Sequence, residues 1–209
     1  MVRTKLDFGC GGGLPLELTP DRTRYHNWLV ENSGEGVYGI DIDPRKVSDM
    51  QGLTLPDTQV IMADGHATPF DDKFFDVIHI GAALHHMMNY HLAIKEVARI
   101  SKPGCELYVL ESVDNDTIFR VIRRLYGKFR GDDVESYFKS DRLVREIKKY
   151  FIIKDVRLYW RFYLSDALLN FNKEPQISLR FNNWVNSKIV NKYRWASHVV
   201  IEAERKQDA

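Results

Sequence analysis

A glycine turn placed directly after a short apolar strand constrains this chain more than any other feature. Lys5-Leu6-Asp7-Phe8 reads as a strand, and Asp7-x-Gly9-x-Gly11-x-Gly13 sets glycine at alternate positions behind it. Glycine there permits positive φ and removes the Cβ atoms that would hold a ligand off the backbone. A strand ending in such a turn marks the carboxyl edge of an open α/β sheet, where nucleotide ligands bind. The dinucleotide fingerprint G-x-G-x-x-G needs a glycine at position 14, which is Leu14; starting from Gly11 puts Leu16 there. The fingerprint fails in both registers, whereas D-x-G-x-G-x-G fits without a gap.

The remaining segments alternate between strand and helix. Val2–Phe8 is the first strand, and Tyr25–Val30 lies in the first crossover helix, which the Ser33-Gly34-Glu35-Gly36 stop ends. Val37–Asp41 is the second strand. Asp43 then caps a helix whose first residue is Pro44 and which continues through Lys46 to about Met50. Gln59–Ala63 and Phe75–Ile80 are the third and fourth strands. Leu92, Val97 and Ile100 give the apolar spacing of an amphipathic helix, which Ser101-Lys102-Pro103-Gly104 breaks before a fifth strand at Glu106–Glu111. Asp114–Tyr150 reads as helical throughout. Phe151–Leu158 is the sixth strand and Trp195–Ala203 a closing strand antiparallel to it. Near-continuous apolar strands alternating with helices predict a parallel sheet covered on both faces.

Length and composition set limits. A chain of 209 residues suits one domain with a sizeable core, residues 1–209. A hydrophobic content of 44% with 28% charged residues excludes a disordered chain, and no apolar run is long enough to span a bilayer. Cys10 and Cys105 form no disulfide framework and have no metal-ligand spacing, which points to a reducing cytoplasm. Charge is distributed unevenly. Residues 1–116 carry 10 basic against 18 acidic side chains, whereas residues 117–161 carry 13 against 6. The two parts are expected to meet different things.

Four separated motifs, LDFGCGGG (6–13), VYGIDIDP (37–44), ADGHATPFDDKFFDVI (63–78) and LHHM with RISKPG (84–87 and 99–104), stand in order. Together they resemble the class I S-adenosylmethionine (SAM)-dependent methyltransferases, in the broad subgroup of ubiquinone-biosynthesis and tRNA-wobble enzymes. The resemblance covers residues 3–111 closely and the rest in topology. It implies an α/β, Rossmann-like sheet of seven strands, mostly parallel with an antiparallel last strand and helices on both faces. It also implies SAM as cofactor. Gly9 and Gly11, with Cys10 between them, would let the backbone lie against the methionine and ribose portions. Asp41, followed by Ile42, has the acceptor-only carboxylate that binds ribose hydroxyls. Asp64 would accept the adenine amine, with the Gly65 N–H facing N1. Ile80 and Gly81 would meet the methionine ammonium group, and Asp7 would orient the glycine loop. Family members usually carry helices before the first strand. Their absence here predicts that lids come from insertions at 113–150 and 165–194.

The acceptor is less constrained. The D/N-P-P-Y/F motif of exocyclic-amine enzymes is replaced by Gly81-Ala82-Ala83-Leu84, and neither cysteine has the Pro-Cys context of covalent C5 chemistry. His85 and His86 stand where the subgroup places histidine near the reaction centre, able to take a proton as the methyl arrives. His79 reads as structural. His85, His86 and His91 lack the carboxylate or cysteine that would complete a metal site. Arg120, Arg123, Arg124, Arg130, Arg142 and Arg145 accompany Tyr126, Phe129 and the cluster Tyr159–Tyr163. That region suits a solvated helix face over the core, an acidic small substrate, a phosphate backbone or an anionic membrane surface. The reading is methyl transfer to a small or lipid-like metabolite. The alternatives are an RNA nucleoside as acceptor and a catalytically inactive SAM-binding scaffold subunit.

Overall fold

The computed structural model describes residues 2–11, 28–115, 138–159 and 196–207. Seven strands form one sheet: β1 (Lys5–Phe8), β2 (Val37–Asp41), β3 (Gln59–Met62), β4 (Phe75–Gly81), β5 (Ser101–Ser112), β6 (Phe151–Tyr159) and β7 (His198–Arg205). Their order across the sheet is β3-β2-β1-β4-β5-β7-β6. The pairs from β3 to β5 are parallel, and β7 runs antiparallel to both β5 and β6. Parallel neighbours must be joined by crossovers, which bring every strand from β1 to β5 to the same carboxyl edge. The strand order reverses between β1 and β4, so the glycine turn after β1 opens at the switch point where such sheets bind ligands.

Alternation along the strands builds two apolar layers. Leu6, Phe8, Ile78, Ile80, Leu107 and Val109 are buried on one face against α3 (Tyr90–Ile100) and α4 (Ser140–Lys148). On the other face Cys10, Leu29, Val37, Val47, Met50 and Val60 join α1 (Trp28–Asn32) and α2 (Pro44–Leu53) to the sheet. α2 begins as its sequence dictates. The Asp43 side chain accepts the Arg45 N–H at 2.9 Å, and Pro44 occupies the first turn, where its missing N–H costs nothing.

Three expectations need correction. Asp114 and Asn115 lie outside any helix: Asp114 N donates to Phe138 O, and Val113 N just before them to Ser197 O. α4 begins only at Ser140, and it buries Leu143 and Ile147 in the core, so this part of the 113–150 insertion belongs to a sheet layer. The rest of that insertion, 116–137, lies outside the described residues, as do the 165–194 insertion, most of the first crossover and most of the basic-aromatic cluster. Ser101–Gly104 does end α3, but the chain is already in β5 there. Pairing skips from Ser101 to Glu106 opposite Phe75 and Val77, and Gly104 at φ 81 absorbs the irregularity. In α3 the buried face is Ala93, Ile94, Val97 and Ile100, while Leu92 is 51% exposed.

Glu96 lies on the same buried side of α3. It is buried, and its Oε1 accepts the Thr68 N–H and hydroxyl at 2.7 and 2.6 Å, while Arg99 donates to both its oxygens. Arg99 also donates to Phe70 O and Asp72. This ties the loop after β3 to α3. A contrast follows from the packing. Leu107→Ala should lower unfolding stability by about 2–5 kcal/mol, and Leu92→Ala by less than about 0.5 kcal/mol, in urea denaturation. Equal losses would mean that α3 is rotated on the sheet.

Candidate functional site

The glycine turn is held on the second strand by backbone bonds. Gly9 N and Cys10 N both donate to Ile40 O, at 2.9 and 2.8 Å. Gly9 has φ 81, and a Cβ there would stand 2.5 Å from the Ala83 Cβ. Gly11 N donates to Asp41 Oδ2 at 3.0 Å, and Asp41 Oδ1 accepts the Asp43 N–H at 2.9 Å. One carboxylate at the end of β2 therefore joins the β1 turn to the start of α2. Each of its oxygens keeps a lone pair for a further donor.

Beyond this turn lies a cavity of about 430 Å³, within the size range of small-ligand sites. Of the residues singled out by sequence, Gly9, Asp41, Ile42, Asp64, Gly65 and His86 are in its wall. They come from the ends of β1, β2 and β3 and from the 3₁₀ turn Leu84–His86 after β4. The Asp64 carboxyl is held below the usual carboxylate range by the His66 N–H it accepts, against a smaller opposing effect of burial. Its bonds from His66 N and Nδ1 both land on Oδ1, at 2.9 and 2.7 Å. Gly65 lies so close to β1 that a Cβ would stand 2.6 Å from Phe8 Cζ.

The other expected residues stand behind the wall. Asp7 is buried, and its Oδ1 pairs with His79 Nδ1 at 2.8 Å, with the His79 ring stacked 5.0 Å from Trp28. Cys10 packs in the α1–α2 layer, where burial pushes its thiol far up, and burial pushes Cys105 up to about 11. Neither is a nucleophile at neutral pH. Ile80 is in the core, and Gly81 is covered by the His79 ring. His85 turns away from the cavity to Glu111 Oε2, at 2.8 Å.

Sequence reasoning missed Lys46, His66 and the run Met87-Met88-Asn89, all in the wall. Lys46 had a usable signal: it stands two positions after Pro44 in the first turn of α2, and its Cβ is 2.3 Å from where a Cβ on Gly11 would stand. It also missed Glu111. A carboxylate directly after the apolar run Leu107–Leu110 was the visible sign.

The comparisons fit this geometry. A family model described as a methyltransferase domain matches residues 6–109. The chain belongs to the class I SAM-dependent methyltransferase family. It is 34% identical over 127 residues to demethylmenaquinone methyltransferase of Staphylococcus carnosus, covering 59% of this chain and 49% of that protein. The Bacillus licheniformis protein of the same name is 27% identical over 159 residues, covering 68% of this chain and 63% of that protein. The chain thus spans about half the length of the first of these curated relatives. Among solved structures, a SAM-dependent methyltransferase from Mesorhizobium loti is similar at a TM-score of 0.63 with 15% identity, covering 97% of this chain and 91% of that one. A Haloferax volcanii complex of a methyltransferase with its Trm112 activator gives 0.64 with 18% identity, covering 98% and 83%. These neighbours support the fold.

The family's cofactor is SAM, and the residues present fit it. Two acceptor-only carboxylates suit hydroxyl and amine donors, and the glycine turn leaves the backbone of β1 bare at the cavity. If Gly9 is the required gap, Gly9→Ala should abolish measurable SAM binding by calorimetry and lower stability by about 1–3 kcal/mol, from the clash with Ala83 and the positive φ. Wild-type affinity in this variant would remove the turn from the site.

Proposed function

We propose that the chain transfers a methyl group from SAM to a small or lipid-like acceptor. The observation that carries the reading is one cavity walled by the carboxylates Asp41 and Asp64 and by His86 with Met87 and Met88. The first pair suits an adenosine, and the second an acceptor. SAM supplies a methyl group already activated by its sulfonium charge. The protein's part is then positioning and exclusion of water. Asp41 holds the ribose hydroxyls, Asp64 Oδ2 accepts the adenine amine, and the Gly65 N–H faces the ring beside it. Ile42, 69% exposed at the rim, covers the purine. The backbone at Ile80–Gly81 and the turn Gly9–Gly11, oriented through Asp7, meet the amino-acid end.

The similarity to demethylmenaquinone methyltransferases supports a lipid-like acceptor, as does the apolar rim of Ile42, Met87 and Met88. Segments 116–137 and 165–194 are proposed to cover the acceptor side, within a single domain of residues 1–209. Among the described residues no helix is long and apolar enough to cross a membrane. Both cysteines are buried, and a reducing cytoplasm is the proposed setting.

The test is calorimetric titration with SAM, followed by methyl-labelled SAM with separated lipid, small-molecule and RNA extracts. Label in the lipid or small-molecule fraction is the expected result. Label in RNA would make the acceptor a nucleoside, and binding without transfer would favour a scaffold role. Asp41→Ala should weaken SAM binding about 10- to 100-fold, or about 1.4–2.7 kcal/mol, with the circular dichroism spectrum unchanged. Unaltered affinity would show that Asp41 does not hold the ribose.

A further inference from the structure

Lys46 lines the cavity, and its stem is placed by the glycine turn. The position that a Cβ on Gly11 would take is 2.3 Å from Lys46 Cβ, 2.4 Å from Lys46 Cδ and 2.7 Å from Asp41 Oδ2. The bare Cα of Gly11 therefore receives two side chains at once, the stem of Lys46 from the first turn of α2 and the carboxylate from the end of β2. A stem lying on backbone has lost part of its rotamer freedom before any ligand arrives, so its ordering costs less on binding. Its methylenes shed water there, and the charged head keeps its own.

The ammonium is near this carboxylate without being joined to it. The shared position on Gly11 puts Lys46 Cδ within about 5 Å of Asp41 Oδ2. Yet among the described residues the Lys46 ammonium makes no hydrogen bond and no ion pair within 4.0 Å. A direct pair of exposed charges would be worth little; a gap of this size has another use. Asp41 already accepts the Gly11 and Asp43 N–H groups, one on each oxygen, and has only lone pairs left to offer. It can take the proton of a hydroxyl but can give nothing to the hydroxyl's oxygen. That oxygen, once taken out of water, needs a donor of its own. Lys46 has donors and no acceptor, the complement of Asp41. An oxygen bonded to both would sit about 2.7–2.9 Å from each, which suits an ammonium and a carboxylate held apart on the same glycine.

We propose that Lys46 is a cofactor-binding residue whose ammonium donates to a ribose hydroxyl oxygen while Asp41 accepts that hydroxyl's proton. The two side chains then read the ribose as a donor and an acceptor together. This rests on the SAM reading of the cavity and adds a residue to it. A ligand without the bridged hydroxyl leaves a charged donor and a charged acceptor unconnected, so the pair discriminates ribose from deoxyribose. Gly11 is required on the same account, because a Cβ there would displace both the stem and the carboxylate.

The test is calorimetric titration of the full chain with S-adenosylhomocysteine and with its 2′-deoxy and 3′-deoxy analogues, in the wild type and in K46M. Methionine keeps an unbranched apolar stem against Gly11 and removes the ammonium, so the circular dichroism spectrum should be unchanged. K46M should bind S-adenosylhomocysteine about 5- to 20-fold more weakly than the wild type. For the analogue that lacks the bridged hydroxyl, the two proteins should agree within about twofold, because the oxygen that Lys46 serves is gone. Wild-type affinity of K46M for S-adenosylhomocysteine overturns the proposal. So does an equal loss for the parent compound and both analogues, which is what a general charge effect or a disturbed turn would give. Failure of the wild type to bind either SAM or S-adenosylhomocysteine sinks the cofactor reading and this proposal with it, whereas wild-type binding with an unaltered K46M sinks the proposal alone.

Discussion

A carboxylate with no access to water must be surrounded by donors, and Glu111 draws its surroundings into place for that reason. Its oxygens hold the Ala83 and Leu84 N–H groups and the His85 ring, which stops β4 at Gly81 and turns the chain across the carboxyl edge. With the turn fixed, Ala83 stands against Gly9, at a distance that leaves no room for a side chain there. The glycine after β1 and the acid in β5 are therefore two halves of one constraint, transmitted through a single alanine. Gly9 and Ala83 both line the cavity.

The other wall of that cavity is built by the same means from different groups. Asp41 accepts from Gly11 and Asp43, so the β1 turn and the start of α2 share one anchor. Glu96 and Arg99 fasten the loop after β3 to α3 through Thr68 and Phe70. In each case a buried or half-buried carboxylate takes N–H groups that the irregular backbone at a strand end cannot pair with a neighbouring strand. Three acids, Asp41, Glu96 and Glu111, thus hold three of the loops at the carboxyl edge. Apolar packing beneath them sets the sheet, and these bonds set the loops upon it.

The resemblance read from the motifs held over β1 to β5 because both its parts are local. Hydrophobic alternation tells a strand from a helix within a few residues, and Asp43-Pro44 caps α2 wherever that helix is placed. Reading failed where a residue's partner lies far along the chain. Leu92 fits the apolar spacing of α3 yet faces solvent, whereas Glu96 breaks that spacing and is buried because Thr68 and Arg99 satisfy it. Asp114 and Asn115 read as helical, but backbone bonds from Val113 and Asp114 to Ser197 and Phe138 keep the chain there out of a helix.

By itself the sequence determined the order of strands and helices, the glycine turn, and the acids Asp41 and Asp64 at the ends of β2 and β3, because each follows from a short run of residue types. It left His85 and His86 as an undivided pair. Only the tertiary structure separated them, sending His85 to a carboxylate 26 residues away and His86 into the cavity wall. The two rings lie 4.1 Å apart, and which one meets a buried acid depends on the strand pairing that brings β5 alongside β4.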